Sequence, residues 1–162
     1  MVGDAHMGDR DLLKKAMALA KEQFACKTDK SGVDYFSGHL TSVAAFVETD
    51  MEKTVAYLHD IVEDLHYPED KLREEFGDEI TEAVLLLSHK SGLTEEECLA
   101  CIKHIKDSGN KLAIAVKTAD LTNNSDYTRL GASSPDELKE EDRARYEKYQ
   151  KALDILKKEQ ML

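Results

Sequence analysis

The sequence is poor in the residues that interrupt regular structure, because its 162 residues include only two prolines and eight glycines. Together with 41% hydrophobic residues, this scarcity is typical of a helical globular protein and excludes collagen-like and disordered chains. The chain also lacks any apolar run near the roughly 18 residues that a membrane span needs, and it shows no secretory signal. We therefore expect one cytoplasmic domain over residues 9–160, with residues 1–8 a cloning remnant or a disordered start.

Cysteine is scarce as well, and the three cysteines cannot all pair with one another. Cys98 and Cys101 form a CxxC motif. They lie in a strongly helical pattern and have no second pair, which argues against a zinc knuckle. Reduced thiols in a cytosolic protein are the simpler interpretation.

Positive charge is the third deficit, since 22 Lys and Arg stand against 33 Asp and Glu and give a formal net charge of −11. Such a balance argues against nonspecific binding to nucleic acids or acidic membranes. A phosphorylated substrate stays compatible with it, because a bound divalent cation can reverse the sign of the local field. A small phosphorylated molecule such as a nucleotide therefore stays possible as the partner, whereas we expect no nucleic acid and no membrane; the oligomeric state stays open.

The hydrophobic residues recur at helical spacing, and no segment shows sustained alternation with a period of two. This pattern predicts an all-α fold, a compact single-domain helical bundle. Several helix starts carry capping signals: Asp50 as an N-cap, Thr94 with Glu97 as a capping box, and Ser134–Glu137 as a second box that opens a long C-terminal helix. Leu112–Val116 is apolar on all sides, which predicts a buried central helix.

The segment Thr54–Leu65 holds the densest group of residues that can bind metals or move protons, and we expect it to form one helical run. His59 and Glu63 are spaced by four residues, as are Asp60 and Asp64, so each pair shares a helix face. Burying an imidazole beside carboxylates costs free energy unless partners compensate for it, so such a group favours a functional role. The alternative is a solvated acidic face with one surface histidine.

A second group follows the predicted buried helix, where Lys117, Asp120 and Asn124 fall at spacings of three and four and so lie on one face. A carboxylate at the end of a buried helix needs a partner. Asp120 could instead accept backbone hydrogen bonds or pair with an arginine, and Lys117 could be a surface lysine that extends to solvent.

The order His39, His59–Asp60, Asp120 resembles the H…HD…D pattern of the HD-domain metal-dependent phosphohydrolases. Within them, the chain is most similar to the hydrolase domain of RelA/SpoT-type alarmone enzymes, including the short stand-alone hydrolases. The likeness spans about residues 11–130. The segments that carry it are Lys30–Gly32 followed by Tyr35, the HDxxED motif His59–Asp64, the helix pair Leu72–Ile80 and Ser88–Lys90, and the VKxADxxxN motif Val116–Asn124.

The resemblance implies a site for one divalent cation with mixed nitrogen and oxygen donors, a set that suits Mn, Fe, Co, Ni or Zn. Mn²⁺ is the metal that the resemblance favours. The residues it assigns as metal ligands are His39, His59, Asp60 and Asp120. His39 could also be an ordinary histidine at a helix end.

The same resemblance assigns roles in catalysis and substrate binding. Glu63 and Asp64 would orient or deprotonate the attacking water, with the choice between them left open. Lys30 and Lys117 would offset phosphate charge, and Asn124 would contact the sugar or a phosphate. The implied reaction is hydrolytic removal of phosphate or pyrophosphate from a small phosphorylated molecule, such as removal of the 3′-pyrophosphate of (p)ppGpp.

The sequence departs from the family pattern around substrate recognition. Asp29 precedes Lys30 where the family has arginine, the spacing from Lys30 to His39 is one residue longer, and Asn123 stands where histidine is common. Phosphoester or pyrophosphate hydrolysis is therefore better supported than the substrate itself. The alternatives are an HD-type nucleotidase or phosphodiesterase acting on another nucleotide, a non-catalytic module that binds metal or nucleotide, and an acidic helical scaffold without metal.

Overall fold

The computed structural model describes residues 8–28, 32–88 and 93–158, and the regular secondary structure of these ranges is helical apart from one isolated β-bridge between Thr28 and Asp34. The predicted all-α fold is confirmed. None of the helices in these ranges is long and apolar enough to cross a membrane. The α-helices are α1 (Asp9–Gln23), α2 (Thr41–Ala45), α3 (Asp50–Leu58), α4 (Ile61–Leu65), α5 (Glu69–Phe76), α6 (Asp78–Leu87), α7 (Glu95–Ser108), α8 (Lys111–Asn124) and α9 (Glu140–Lys158).

Helices α3 and α8 form the centre of the fold. Helix α3 packs against α1, α2, α6 and α8, and α8 packs in addition against α2, α6, α7 and α9. The main core surrounds this pair, and a smaller apolar cluster joins α9 to α7 and α8. The junction of α2, α3 and α8 is therefore enclosed by packed helices, so polar side chains that point into it are shielded from water. Fully buried members of the main core include Phe24, Leu40, Leu58, Ile80 and Val116.

The segment Thr54–Leu65 is not one helix, which corrects the sequence-based expectation. Helix α3 ends at Leu58, and α4 begins again at Ile61, with Asp60 as its N-cap residue. Nδ1 of His59 lies 2.6 Å from the carbonyl oxygen of Ala56. A side-chain bond to a carbonyl in the preceding turn competes with the backbone ladder, and this contact lies at the break, beside the His-Asp pair.

A second irregular element precedes α2, where Phe36–Leu40 forms a π-helical turn. Such a turn closes its hydrogen bonds one residue further along the chain than an α-helix does, and it often marks a functional site. It therefore takes up one extra residue, which agrees with the longer spacing before His39. His39 lies within this turn and is buried.

The helix starts agree with the predicted capping only in part. Thr49, and not Asp50, is the N-cap of α3: its side chain accepts a hydrogen bond from the amide of Glu52, whose carboxylate accepts one from the amide of Thr49. Asp50 lies in the first turn instead, where the negative charge of a carboxylate interacts favourably with the helix dipole. The capping box of Thr94 and Glu97 at the start of α7 is confirmed.

The predicted capping box at Ser134 is wrong. Pro135–Glu137 forms a short 3₁₀ turn, the side chain of Ser134 makes no capping hydrogen bond, and the long C-terminal helix starts only at Glu140. The carboxylate of Glu137 accepts a hydrogen bond from the amide of Ser133. The Ser-Pro signal thus starts a helical turn, but this turn does not continue into α9.

Candidate metal centre

Two imidazoles and two carboxylates converge at the junction of α2, α3 and α8. Oδ1 of Asp120 lies 3.1 Å from Nε2 of His39 and 3.5 Å from Nε2 of His59. Oδ2 of Asp60 lies 3.2 Å from Nε2 of His59 and 3.6 Å from Nε2 of His39. Within the described residues, His39, His59 and Asp120 form a buried group whose ligand atoms all lie within 4.8 Å of one another, and Asp60 adjoins it.

The local structure brings each of these side chains inward in a different way. His39 projects from the π-helical turn, and His59 with Asp60 occupies the break between α3 and α4. Asp120 lies on the buried face of the regular helix α8. The four sequence-predicted metal ligands are thus brought together from three segments that are far apart in the sequence.

The outer nitrogen of each imidazole is already engaged. Nδ1 of His39 lies 3.1 Å from Oδ1 of Asn123, and Nδ1 of His59 lies 2.6 Å from the carbonyl oxygen of Ala56. An amide oxygen and a carbonyl oxygen can only accept, so each Nδ1 carries the hydrogen. A neutral imidazole that donates from Nδ1 has its lone pair on Nε2. Both lone pairs therefore point into the centre, toward carboxylate oxygens.

The two carboxylates are also held by outer partners. The hydroxyl of Tyr35 donates to Oδ2 of Asp60 at 2.5 Å. Nζ of Lys117 donates to Oδ2 of Asp120 at 3.2 Å, and Nδ2 of Asn124 donates to Oδ1 of the same carboxylate at 3.2 Å. Outer partners of this kind fix the orientation of metal-binding side chains.

The pKa values show how strongly the centre favours a positive charge. Burial by itself lowers the pKa of His59, but the nearby carboxylates of Asp60 and Asp120 outweigh it and raise the pKa to about 9. Burial by itself raises the pKa of Asp120, yet the charge of Lys117 and the hydrogen bonds from the two histidines hold that pKa well below its usual range. Asp120 is therefore ionised, and a cation next to Nε2 of His59 is stabilised.

The donor set fits a divalent cation. Nε2 of His59 is buried and makes no hydrogen bond of acceptable geometry among the described residues, although Asp60 lies close by. In the metal-free protein a proton on His59 offsets the facing carboxylates, and a divalent cation bound by the same nitrogens and oxygens would take the place of that proton. Two imidazoles with carboxylates suit borderline divalent metals such as Mn, Fe, Co, Ni and Zn.

The predicted catalytic acids lie on α4, one turn beyond the break. Burial, and then the charge of Asp60, raise the pKa of Asp64 above its ordinary value, while the ammonium of Lys27 at 3.6 Å opposes this change. The charge of Glu63 contributes, after those of Asp120 and Asp60, to the raised pKa of Lys117. Both acids are thus within electrostatic range of the centre.

The predicted substrate-binding residues have different outcomes. Lys30 lies outside the described residues. Lys117 and Asn124 both contact Asp120, so the structure places them as its hydrogen-bond partners. Sequence reasoning missed Asn123 as the partner of His39. The sequence signal for this role is the departure from the family pattern at Asn123, where histidine is common.

A cavity lies beside Asn124, between the end of α8 and α9. Tyr127, Tyr146, Tyr149 and Arg145 contribute to its lining. The rings of Tyr127 and Tyr146 meet edge to face, with their centroids 5.9 Å apart. The cavity is small, about 20 Å³, which is room for one water molecule, and its Arg145 lies 3.5 Å from Asp142, another lining residue.

A solved structure has a similar fold, that of a protein described as a metazoan ortholog of SpoT that hydrolyses ppGpp and plays a role in starvation responses. The TM-score is 0.72 at 18% sequence identity, over 93% of this chain and 88% of that chain. The two chains share one fold. No protein-family profile and no curated protein sequence matches this chain. The fold implied by the sequence resemblance is therefore confirmed, while the roles assigned to individual residues stay predictions.

Proposed function

We propose that this protein is a metal-dependent phosphohydrolase that removes phosphate or pyrophosphate from a small nucleotide, with (p)ppGpp as the substrate and Mn²⁺ as the metal. The observation that carries this proposal is the convergence of two imidazole lone pairs and two carboxylates in one buried junction. The shared fold with a protein described as hydrolysing ppGpp supports the choice of substrate.

The residues that would hold the cation are His39, His59, Asp60 and Asp120. When bound, a divalent cation supplies positive charge for phosphate oxygens and lowers the pKa of a coordinated water. The protein's own contribution is to hold these four donors in place before the substrate arrives, since their outer atoms are bonded to the surrounding residues.

The proton of the attacking water needs an acceptor, and we assign that role to Asp64 or Glu63, both on α4. The raised pKa of Asp64 makes this carboxylate more basic than an exposed aspartate, which favours proton transfer near neutral pH. Its neighbour Lys27 opposes this rise in pKa by stabilising the charged form of the carboxylate. Either acid can serve as the base, and replacing each by its amide separates their contributions.

Substrate binding requires positive charge and a surface for the base, because a nucleotide is both anionic and aromatic. Lys27 offers an ammonium group that is 44% exposed beside Asp64, and Lys30 belongs to the same loop region of the sequence. The tyrosine-lined cavity next to Asn124 has a volume of about 20 Å³, room for one water molecule, so it does not admit a nucleobase. The described residues therefore support phosphate binding, through Lys27.

The test is release of pyrophosphate from ppGpp by metal-stripped protein, with and without added Mn²⁺, beside an Asp60→Ala variant. We expect release that depends on Mn²⁺ and that the substitution abolishes. A protein that binds no divalent cation would overturn the proposal. Metal binding without turnover of ppGpp would instead reject this substrate and leave the metal site.

A second candidate is hydrolysis of another nucleotide by the same centre. Asp29 stands in place of the basic residue that the family has before Lys30, which changes the charge next to the expected phosphate site. A panel of nucleotides with 3′- and 5′-phosphates, tested at equal concentration with Mn²⁺, separates the two candidates. Faster turnover of a nucleotide without a 3′-pyrophosphate would favour the second.

A further inference from the structure

The carboxylate of Asp60 does not accept a hydrogen bond from the helix that follows it. Asp60 is the N-cap residue of α4, a position where an aspartate side chain normally accepts a hydrogen bond from an amide two or three residues later. The carboxylate of Asp60 makes no such bond. It points instead into the centre, where Oδ2 lies 3.2 Å from Nε2 of His59. Something other than the helix must hold it there.

The hydroxyl of Tyr35 is the group that meets this carboxylate, at 2.5 Å from the same Oδ2 atom. A tyrosine hydroxyl keeps its proton at neutral pH, so it donates to Asp60 and does not repel the carboxylate as a phenolate would.

The ring of Tyr35 is fixed independently of its hydroxyl. It stacks on Phe24 with centroids 5.0 Å apart and lies 5.1 Å from the ring of His39. The ammonium of Lys27 lies 5.7 Å from its centroid, and the amide of Tyr35 donates to the carbonyl of Lys27 at 2.9 Å. Removing the hydroxyl would thus leave the ring in place, so that the effect of one hydrogen bond can be measured alone.

We propose that Tyr35 is a positioning residue of the metal centre, whose hydroxyl holds Asp60 in the metal-binding orientation and away from the N-terminus of α4. This inference rests on the proposed function only in that it requires a cation at the centre. Without the hydroxyl, the carboxylate of Asp60 is free to rotate and cap α4, which removes one oxygen donor. The hydrogen bond also offsets part of the negative charge that an incoming phosphate meets.

The experiment compares Tyr35→Phe with the unaltered protein and with Tyr57→Phe as a matched control. Tyr57 is a buried tyrosine of the same core, its ring stacks on Phe36, and its hydroxyl donates to Thr41 at 3.4 Å. Metal-stripped proteins are titrated with Mn²⁺ by calorimetry, and their thermal unfolding is followed without metal. We expect Tyr35→Phe to bind Mn²⁺ about 10–100-fold more weakly, with metal-free unfolding unchanged or slightly later, and Tyr57→Phe to bind like the unaltered protein.

A double-mutant comparison tests whether Tyr35 acts through Asp60. In an Asp60→Ala background, Tyr35→Phe should cause no further loss of Mn²⁺ affinity. A further loss of the same size would overturn the inference, as would unchanged affinity in the single variant or earlier metal-free unfolding as its only effect. Failure of the proposed function has a different signature, because the unaltered protein would then bind no Mn²⁺ or bind it without hydrolysing any nucleotide.

Discussion

Two clusters of charged residues in this protein have opposite designs. On the surface, Arg73 contacts three carboxylates, those of Glu69 at 2.8 Å, Asp78 at 2.9 Å and Glu82 at 3.0 Å. The three acids are well exposed, and the guanidinium donates a hydrogen bond to each of two of them and lies close to the third. This cluster contains its own cation and is exposed to water, so its contribution to the free energy of unfolding is small and is screened by salt.

Among the residues that the structure describes, the buried centre has no lysine or arginine at its inner side, where a proton on His59 or a metal cation must balance the carboxylates. Lys117 contacts Asp120, but through Oδ2, on the side away from the atom that faces the histidines. At the inner side, Oδ1 of Asp120 and Oδ2 of Asp60 face two imidazole nitrogens, and water is largely excluded. Charges placed in this way are costly to bury unless a cation joins them. The comparison teaches that the arrangement of donors and acceptors, more than the number of charges, distinguishes a metal centre from a salt-bridge network.

The largest effect should come from breaking the buried centre at Asp120. Asp120→Asn should weaken Mn²⁺ binding by more than about 100-fold, because even loss of an outer partner costs about 10–100-fold. Saturating Mn²⁺ should raise the Tm of the unaltered protein, since a ligand that binds only the folded state stabilises it, and should leave that of the variant unchanged. Asp78→Asn, in the surface cluster, is the control and should respond to Mn²⁺ normally. A full metal-induced rise in Asp120→Asn would refute the assignment.

Loss of the partner of His39 should have the next largest effect. Asn123→Ala removes the acceptor that holds the Nδ1 hydrogen, so the imidazole can turn or change tautomer, and Mn²⁺ affinity should fall about 10–100-fold. Asn110→Ala is matched to it, because Asn110 belongs to the same helix and caps its start. That control should lower stability by about 1 kcal/mol with no change in metal affinity. Equal affinities for the two variants, measured by calorimetry, would show that Asn123 has no role at the centre.

The buried centre should also respond to pH, whereas the surface guanidinium does not titrate in the usual range. Because the pKa of His59 is about 9 without metal, the cation must displace a proton below that pH, and Mn²⁺ affinity should rise about tenfold per pH unit up to about 9. In the metal-free protein, the raised pKa stabilises the fold below the ordinary value of 6.5, and this contribution is lost as the pH rises through about 9. Calorimetry in buffers of different ionisation enthalpy should detect about one proton released; zero protons at neutral pH would contradict the expectation.

The smallest effect is expected at the surface. Arg73→Gln should lower the Tm slightly, and the difference from the unaltered protein should shrink at high salt because exposed ion pairs are screened. Metal affinity should not change. A large, salt-independent loss of stability would mean that the Arg73 cluster is not the self-contained surface network described above.

Sequence reasoning succeeded where interactions are local. The capping box of Thr94 and Glu97 spans three residues, and the prediction holds because both hydrogen bonds form within one turn. The same reasoning failed at Thr54–Leu65, where periodicity predicted one helix and the structure has a break. The contact between His59 and Ala56 lies at the break, where the imidazole points into a buried junction. Helices from distant parts of the sequence form that junction, so a short stretch of sequence does not reveal it.

The sequence by itself determined that the protein is all-α and that His39, His59, Asp60 and Asp120 are candidates for one metal site. Helical periodicity, which depends on residue types within a few positions, predicts the fold class, whereas the four candidate ligands are implied by the resemblance of their order along the chain to a family pattern. Only the tertiary structure decided which atoms face inward. Asn123 reaches His39 across 84 positions and Tyr35 reaches Asp60 across 25, and such contacts follow from how helices pack. The orientation of each donor, and with it the capacity to bind a cation, is a property of that packing.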